Sequence, residues 1–172
     1  LAAFDSAAQQ LRCEMNDGTI TLPELELEYG YNTRQAMGYG FRSWRDFFND
    51  RQLLALNWLQ RGIQRIDDSS TRRALMTLFS GVLEFNNLFA SYKGEGTGAV
   101  RHMFSHHILK PERAPIEANV WGTPESSGSF SGLFRSRLLR AFDYRETPTE
   151  LTGRRTVRHV CSPPFSGRVE SS

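Results

Sequence analysis

Apolar residues recur three and four positions apart through most of the first half of the chain, and turn or cap residues bound each run. In Ala2–Met15, Phe4, Ala8, Leu11 and Met15 fall on one helical face, and Asn16-Asp17-Gly18 ends the helix. Thr19–Leu22 is a short β-prone run stopped by Pro23. Glu24, Glu26 and Glu28 then alternate with Leu25 and Leu27, the period of a strand or of an extended arm. Asn32 or Thr33 is placed to cap a helix reaching about Phe48. Gly38 and Gly40 lie inside it, each costing about 1 kcal/mol relative to Ala, and mark a close backbone approach or a kink. Asn49-Asp50 caps a helix over Arg51–Ile66, with Leu56, Leu59, Ile63 and Ile66 as its face and Leu53 beside them. Asp67-Asp68-Ser69-Ser70 breaks the chain and caps again. Thr71–Tyr92 carries the clearest helical spacing, through Leu75, Leu78, Phe79, Val82, Phe85 or Asn86, and Phe89.

The second half is less regular. Lys93–Gly98 is a glycine-rich loop without Walker spacing or a terminal Lys-Ser/Thr, so it is no phosphate-binding loop of that kind. Pro111–Trp121 is proline-punctuated extended chain, with Glu117, Asn119 and Trp121 on one side. Gly122–Ser129 is a polar loop. Ser129 is placed to cap a last helix to about Tyr144, with Phe130, Leu133, Phe134, Leu138 and Ala141 as its face. After Pro148 the chain loosens. The pattern therefore predicts a mainly α fold: a helical domain over 1–146, then a Pro/Ser/Arg-rich connector or tail over 147–172.

Composition sharpens one stretch. The chain of 172 residues is 39% hydrophobic and 23% charged with a net charge of +2, which is globular material without a strong overall field. Lys93 and Lys110 are its only lysines, and arginine supplies the remaining positive charge. In Tyr31–Ile66, Arg34, Arg42, Arg45, Arg51, Arg61 and Arg65 are mixed with Tyr39, Phe41, Trp44, Phe47, Phe48 and Trp58. Planar guanidinium groups beside aromatic faces suit phosphate contact and base stacking. The same mixture also describes an aromatic core with a solvated arginine rim.

Other chemistry is thin. Cys13 and Cys161 form no CxxC and no disulfide framework. His102 and His106 would share a face if their segment were helical, but two histidines make half a metal site, and no HExxH glutamate or cysteine pair completes it. No metal site is assigned. Asn86-Asn87 interrupts an apolar surface as a structural hydrogen-bond node or a ligand contact. No apolar run is long enough to span a membrane, and a cytoplasmic location is the default. Leu1 in place of Met and the abrupt Ser171-Ser172 end read as an internal fragment.

In order, YNTRQAMGYGFRSWRDFFNDRQLLAL, LMTLFSGVLEFNNLFASY, MFSHHILKPERAPIEANVWG and a Gly/Ser loop with GSFSGLF resemble the middle of large bacterial adenine-specific DNA methylases. Some of these belong to phage-defence or restriction-modification islands. The resemblance spans roughly Leu1 to Tyr144. It implies a parent with a Rossmann-like domain binding S-adenosylmethionine through an FxGxG-type loop. A separate Asp/Asn-Pro-Pro-Tyr/Phe motif would hold a flipped adenine. This chain has no FxGxG, so the resemblance places it as a helical insert between the two motifs, inactive alone. Ser162, Pro163, Pro164 and Phe165 follow the β-prone Thr156–Val160. They read either as the amino-methyltransferase tetrapeptide, with Ser162 accepting from the amine and Phe165 stacking, or as a connector. Arg158 and His159 sit where a buried central strand is apolar.

The resemblance thus implies a segment shaping the DNA cleft, with Arg34, Arg42, Arg45 and Arg51 as phosphate contacts. Its partners would be double-stranded DNA and the rest of the methylase chain. The cofactor S-adenosylmethionine belongs to the parent, with none for the fragment itself. The alternative is a stand-alone helical interaction module in which arginines pair with acids such as Asp46, Asp50 and Glu84.

Overall fold

A computed structural model describes residues 2–92, 100–105, 109–111, 116–123, 126–152 and 157–160; the backbone alone is described over 149–152 and 157–160. Helix dominates. The chain divides into two compact units, Leu1–Leu133 and Phe134–Ser172.

In the first unit, α1 (Ala2–Asn16) ends as the turn residues dictate. Gly18 takes a φ of 75°, where a side chain would be strained, and donates to the Met15 carbonyl. The buried face differs from the simple spacing. Leu11 and Glu14 are buried, whereas Phe4 and Met15 are exposed. Glu14 can be buried because its carboxylate accepts from Gln10, Trp58 and Arg61. Ile20 and Leu22 follow in extended chain, without a strand, and pack with Leu11 and Leu54.

The helix expected from Thr33 to Phe48 is corrected. It is α2 (Arg34–Gly38) only. Gly40 adopts a φ of 95°, and the chain then runs extended into a 3₁₀ turn, Trp44–Phe47. The kink reading of the glycines is the right one. Thr33 stands at the N-cap position but makes no side-chain cap bond; its hydroxyl donates to the Glu28 carbonyl instead. Helix α3 (Asp50–Gln64) starts with a capping box, the Asn49 and Gln52 side chains each accepting from the other's backbone N–H. The Asp68 carboxylate accepts from Thr71 N and opens α4 (Ser69–Leu83).

Helix α4 stops nine residues short of the expected Tyr92. Asn86 Nδ2 donates to the Val82 carbonyl, and Asn87 Nδ2 donates to those of Leu83 and Glu84. Asn87 Oδ1 then accepts from Phe89 N. Side-chain amides thus take the carbonyls that another helical turn would use. Ser91–Tyr92 (β1) instead pairs antiparallel with Val100–Arg101 (β2). Asn86 also donates to the Gly128 carbonyl, so the pair is a structural node.

The main core gathers Leu27, Ala36, Phe47, Phe89, Met103 and Leu109, with Phe41, Trp44 and Phe48 packed against it. Burying each such large side chain stabilises by about 1.5–3 kcal/mol. Phe47 and Phe89 lie 4.4 Å apart between centroids, and Phe41 meets Phe47 edge-on at 5.5 Å. Ser129 caps the next helix as expected, its Oγ accepting from Gly132 N, and α5 (Phe130–Leu133) closes the first unit.

In the second unit a π-helical segment, Phe134–Leu139, leads into α6 (Arg140–Glu146). Beyond it Thr149–Thr152 (β3) and Val157–Val160 (β4) pair antiparallel, Thr149 opposite Val160 and Thr152 opposite Val157. No helix among the described residues is long and apolar enough to cross a membrane.

Candidate nucleic-acid interface

The arginine–aromatic stretch is sorted by ring chemistry. Phe41, Trp44, Phe47 and Phe48 face the core, whereas Tyr29, Tyr31 and Tyr39 remain 79%, 72% and 62% exposed. The sorting follows from the break at Gly40. A continuous helix would have wound both sets round one axis. Instead Leu27 N donates to the Arg42 carbonyl and Trp44 N to that of Leu25, which fixes the stretch after Gly40 against the extended arm. Asp46 locks the corner by accepting from Arg42 N and Ser43 N, both at 2.8 Å. Burial works to raise its carboxyl pKa, but those two N–H groups, the Ser43 hydroxyl and the Arg45 charge outweigh it and hold the group below its ordinary value.

The four candidate arginines separate into three roles. Arg34 is exposed, with its guanidinium 4.7 Å from the centroid of the Tyr31 ring. Arg42 is exposed as well. Its Nη1 donates to the Met37 carbonyl at 2.8 Å and the Phe41 carbonyl at 3.2 Å, completing the C-terminus of α2. Tyr31 and Arg34 thus stand at the start of α2, and Tyr39 and Arg42 at its end, and neither arginine's guanidinium is paired with a carboxylate among the described residues. Arg45 is half-buried and lines a cavity beside Trp44 and Phe48. Arg51 is held internally: its Nε lies 2.8 Å from Glu117 Oε1 and its guanidinium 4.3 Å from the centre of the Phe4 ring.

The remaining candidates do not join this surface. Val100–Arg101 is strand and His102 follows it outside any helix. His102 sits edge-on to Phe85, and His106 lies outside the described residues. Among the described residues no group of three or more His, Cys, Asp or Glu could hold a metal ion. Cys13 is exposed and unpaired. Ser162, Pro163, Pro164 and Phe165 lie outside the described residues, as do Lys93–Gly98 and Cys161. The strand before the tetrapeptide, β4, pairs with β3 as a two-stranded antiparallel sheet.

The sequence placed Tyr39 among the mixed aromatics without separating it from the core rings, and did not single out Tyr29. The available signal was the phenol, whose hydroxyl tip keeps the ring compatible with water. It also did not single out Gln60 and Ser80, and it took Glu84, which lines the Arg45 cavity with them, as an ion-pair partner. The chain matches no known protein-family model, no curated protein and no solved structure.

Proposed function

We propose that this chain is a helical, non-catalytic segment of an adenine-specific DNA methyltransferase acting in the cytoplasm. It lies between the cofactor-binding and catalytic motifs of the parent and holds DNA beside the methylation site. The observation that carries the DNA-binding part is the α2 surface. Three tyrosines and two arginines are turned outward there, and neither arginine is neutralised by an acid among the described residues. Guanidinium groups of this kind position a phosphate backbone, and exposed rings stack on unpaired bases. The resemblance of the ordered segments supplies the methylase part. S-adenosylmethionine is assigned to the parent, and no residue of this chain to its binding.

The rival is an interaction module whose arginines serve ion pairs. Arg51 with Glu117 and Arg61 with Glu14 behave in that way, whereas Arg34 and Arg42 do not. Fluorescence anisotropy with labelled duplex DNA over a salt series decides between them. Replacing Arg34 and Arg42 with Gln is expected to weaken binding, and each lost phosphate contact flattens the log–log salt slope by about 0.9. Unchanged affinity and slope, with the circular dichroism of the native fold, refute the DNA reading.

A further inference from the structure

A cavity of about 720 Å³ opens in the first unit between the Thr21–Pro23 arm, the 3₁₀ turn, α3 and α4. Its apolar wall includes Trp44, Phe47, Phe48, Phe79 and Met103. Ligand cavities of roughly 300–1,000 Å³ with apolar walls and a few convergent polar groups are the usual form of a small-molecule site. The polar groups here are Arg45, Asn57, Gln60, Ser80 and Glu84. The Arg45, Gln60, Ser80 and Glu84 side chains make no hydrogen bond or ion pair among the described residues. Asn57 Nδ2 donates to the Leu53 carbonyl. Elsewhere in the unit Glu14, Arg51, Arg61 and Arg72 all find partners.

The ligand follows from the donors and acceptors. Flat aromatic walls take a flat ring. A carboxylate accepts only, so Glu84 asks for N–H groups at the ring edge. A guanidinium donates only, so Arg45 asks for an anion, best a phosphate or carboxylate. The two amides and the Ser80 hydroxyl fit a mixed edge. An aromatic amino acid meets the charges but fills little of the volume. A nucleotide whose base carries an exocyclic amine meets all three demands. We propose that this cavity binds such a nucleotide, its base against the partly exposed rings of Trp44 and Phe48, its amine on Glu84 and its phosphate on Arg45. The nucleotide is either free or unstacked from a strand. The site is separate from the α2 surface: Tyr29, Tyr31, Arg34, Tyr39 and Arg42 do not line it.

Isothermal titration calorimetry tests this on the whole chain, with adenosine monophosphate, inosine monophosphate, adenosine and a short oligodeoxyadenylate as probes. Adenosine monophosphate is expected to bind saturably. Inosine monophosphate, which lacks the amine, and adenosine, which lacks the phosphate, should each bind about tenfold more weakly. Glu84→Gln should remove the preference for adenosine over inosine monophosphate. Arg45→Gln should remove the preference for the phosphate. Both side chains are partly solvated, and circular dichroism checks that the variants keep the fold. A gain for the oligonucleotide over the mononucleotide, lost in the same two variants, assigns the site to a strand; no gain assigns it to the free nucleotide. Absence of saturable binding to a folded chain, or either variant keeping its discrimination, overturns the proposal. Arg34→Gln with Arg42→Gln should leave nucleotide affinity unchanged, so a failure of the DNA-surface reading remains distinguishable from a failure of this one.

Discussion

The indole Nε1 of Trp58 on α3 donates to both carboxylate oxygens of Glu14 on α1, at 3.0 and 3.1 Å, and Arg61 Nη1 approaches the same carboxylate at 3.4 Å. One acid therefore ties two helices through two donors that are themselves only partly covered. Glu14→Ala should cost about 1–3 kcal/mol in urea unfolding, because it leaves both donors without their acceptor. Trp58→Phe should cost less, and the double variant less than the sum of the two singles. A Glu14→Ala change within about 0.5 kcal/mol of the parent would show that the contact is replaced by water without loss.

Gly18 and Gly128 have nearly the same backbone, φ 75° and 74°, but different surroundings. A Cβ at Gly18 meets nothing within 4 Å, whereas one at Gly128 falls 2.5 Å from Phe85 Cβ and Cγ. Gly18→Ala should therefore cost about 1 kcal/mol of backbone strain alone. Gly128→Ala adds a steric clash and should cost at least about 1–3 kcal/mol more. Equal losses for the two variants in chemical denaturation would mean that the loop around Gly128 yields freely.

Asn86 is fully buried and joins the end of α4 to the Gly128 carbonyl at 3.0 Å. Asn86→Ala should lower stability by about 2–3 kcal/mol, through two lost hydrogen bonds and a small void. Asn86→Asp should be worse, since it turns carboxylate oxygens toward two carbonyl acceptors in a buried site. An Asp variant more stable than the Ala variant at neutral pH contradicts this geometry.

Three aspartates tie stability to acid. Asp68 is held below its ordinary value of 3.8 by the backbone N–H and then the hydroxyl of Thr71, and Asp17 by the hydroxyl and then the N–H of Thr19. Asp46 is raised by burial and lowered further than that by Ser43, Arg42 and Arg45. A carboxyl whose pKa is depressed in the folded state contributes stability that is full above its unfolded value and is lost as pH falls through the folded one. The melting temperature should thus hold until the pH approaches 3.8 and decline below it. Asp46→Asn with Asp68→Asn should make that decline shallower in calorimetric melts. An identical acid limb in the variant assigns the pH dependence to other groups.

Much of the helical content was legible because it is written locally. Asn49 and Asp68 announce their helices by side-chain chemistry within three residues, and both caps form. Of the expected α3 face, Leu56 and Ile63 are buried while Leu59 and Ile66 are half-buried, and Leu54, outside that spacing, is buried with them. What was not legible depends on partners distant in sequence. The end of α4 is decided by asparagines that fold back on carbonyls and reach Gly128, and no helical wheel contains that information. Arg51 looked like a phosphate contact beside Arg45, but Glu117 stands 66 positions further along the chain. Nothing local singles out Glu14, which is held by Trp58 and Arg61 across the α1–α3 contact. For the α2 surface, the residue types were visible and their division at Gly40 was not.

The two capping boxes, Ser43 with Asp46 and Asn49 with Gln52, also carry a statement about time. Each closes a loop of only three residues, so the corner and the start of α3 form at the rate of helix initiation, within about a microsecond. The Arg51–Glu117 bridge and the Asn86–Gly128 bond close loops of 66 and 42 residues. Their closure entropy must be met before they stabilise anything. During folding, the arginine–tyrosine corner is therefore shaped early, while Glu117 and Gly128 settle onto helices that already exist.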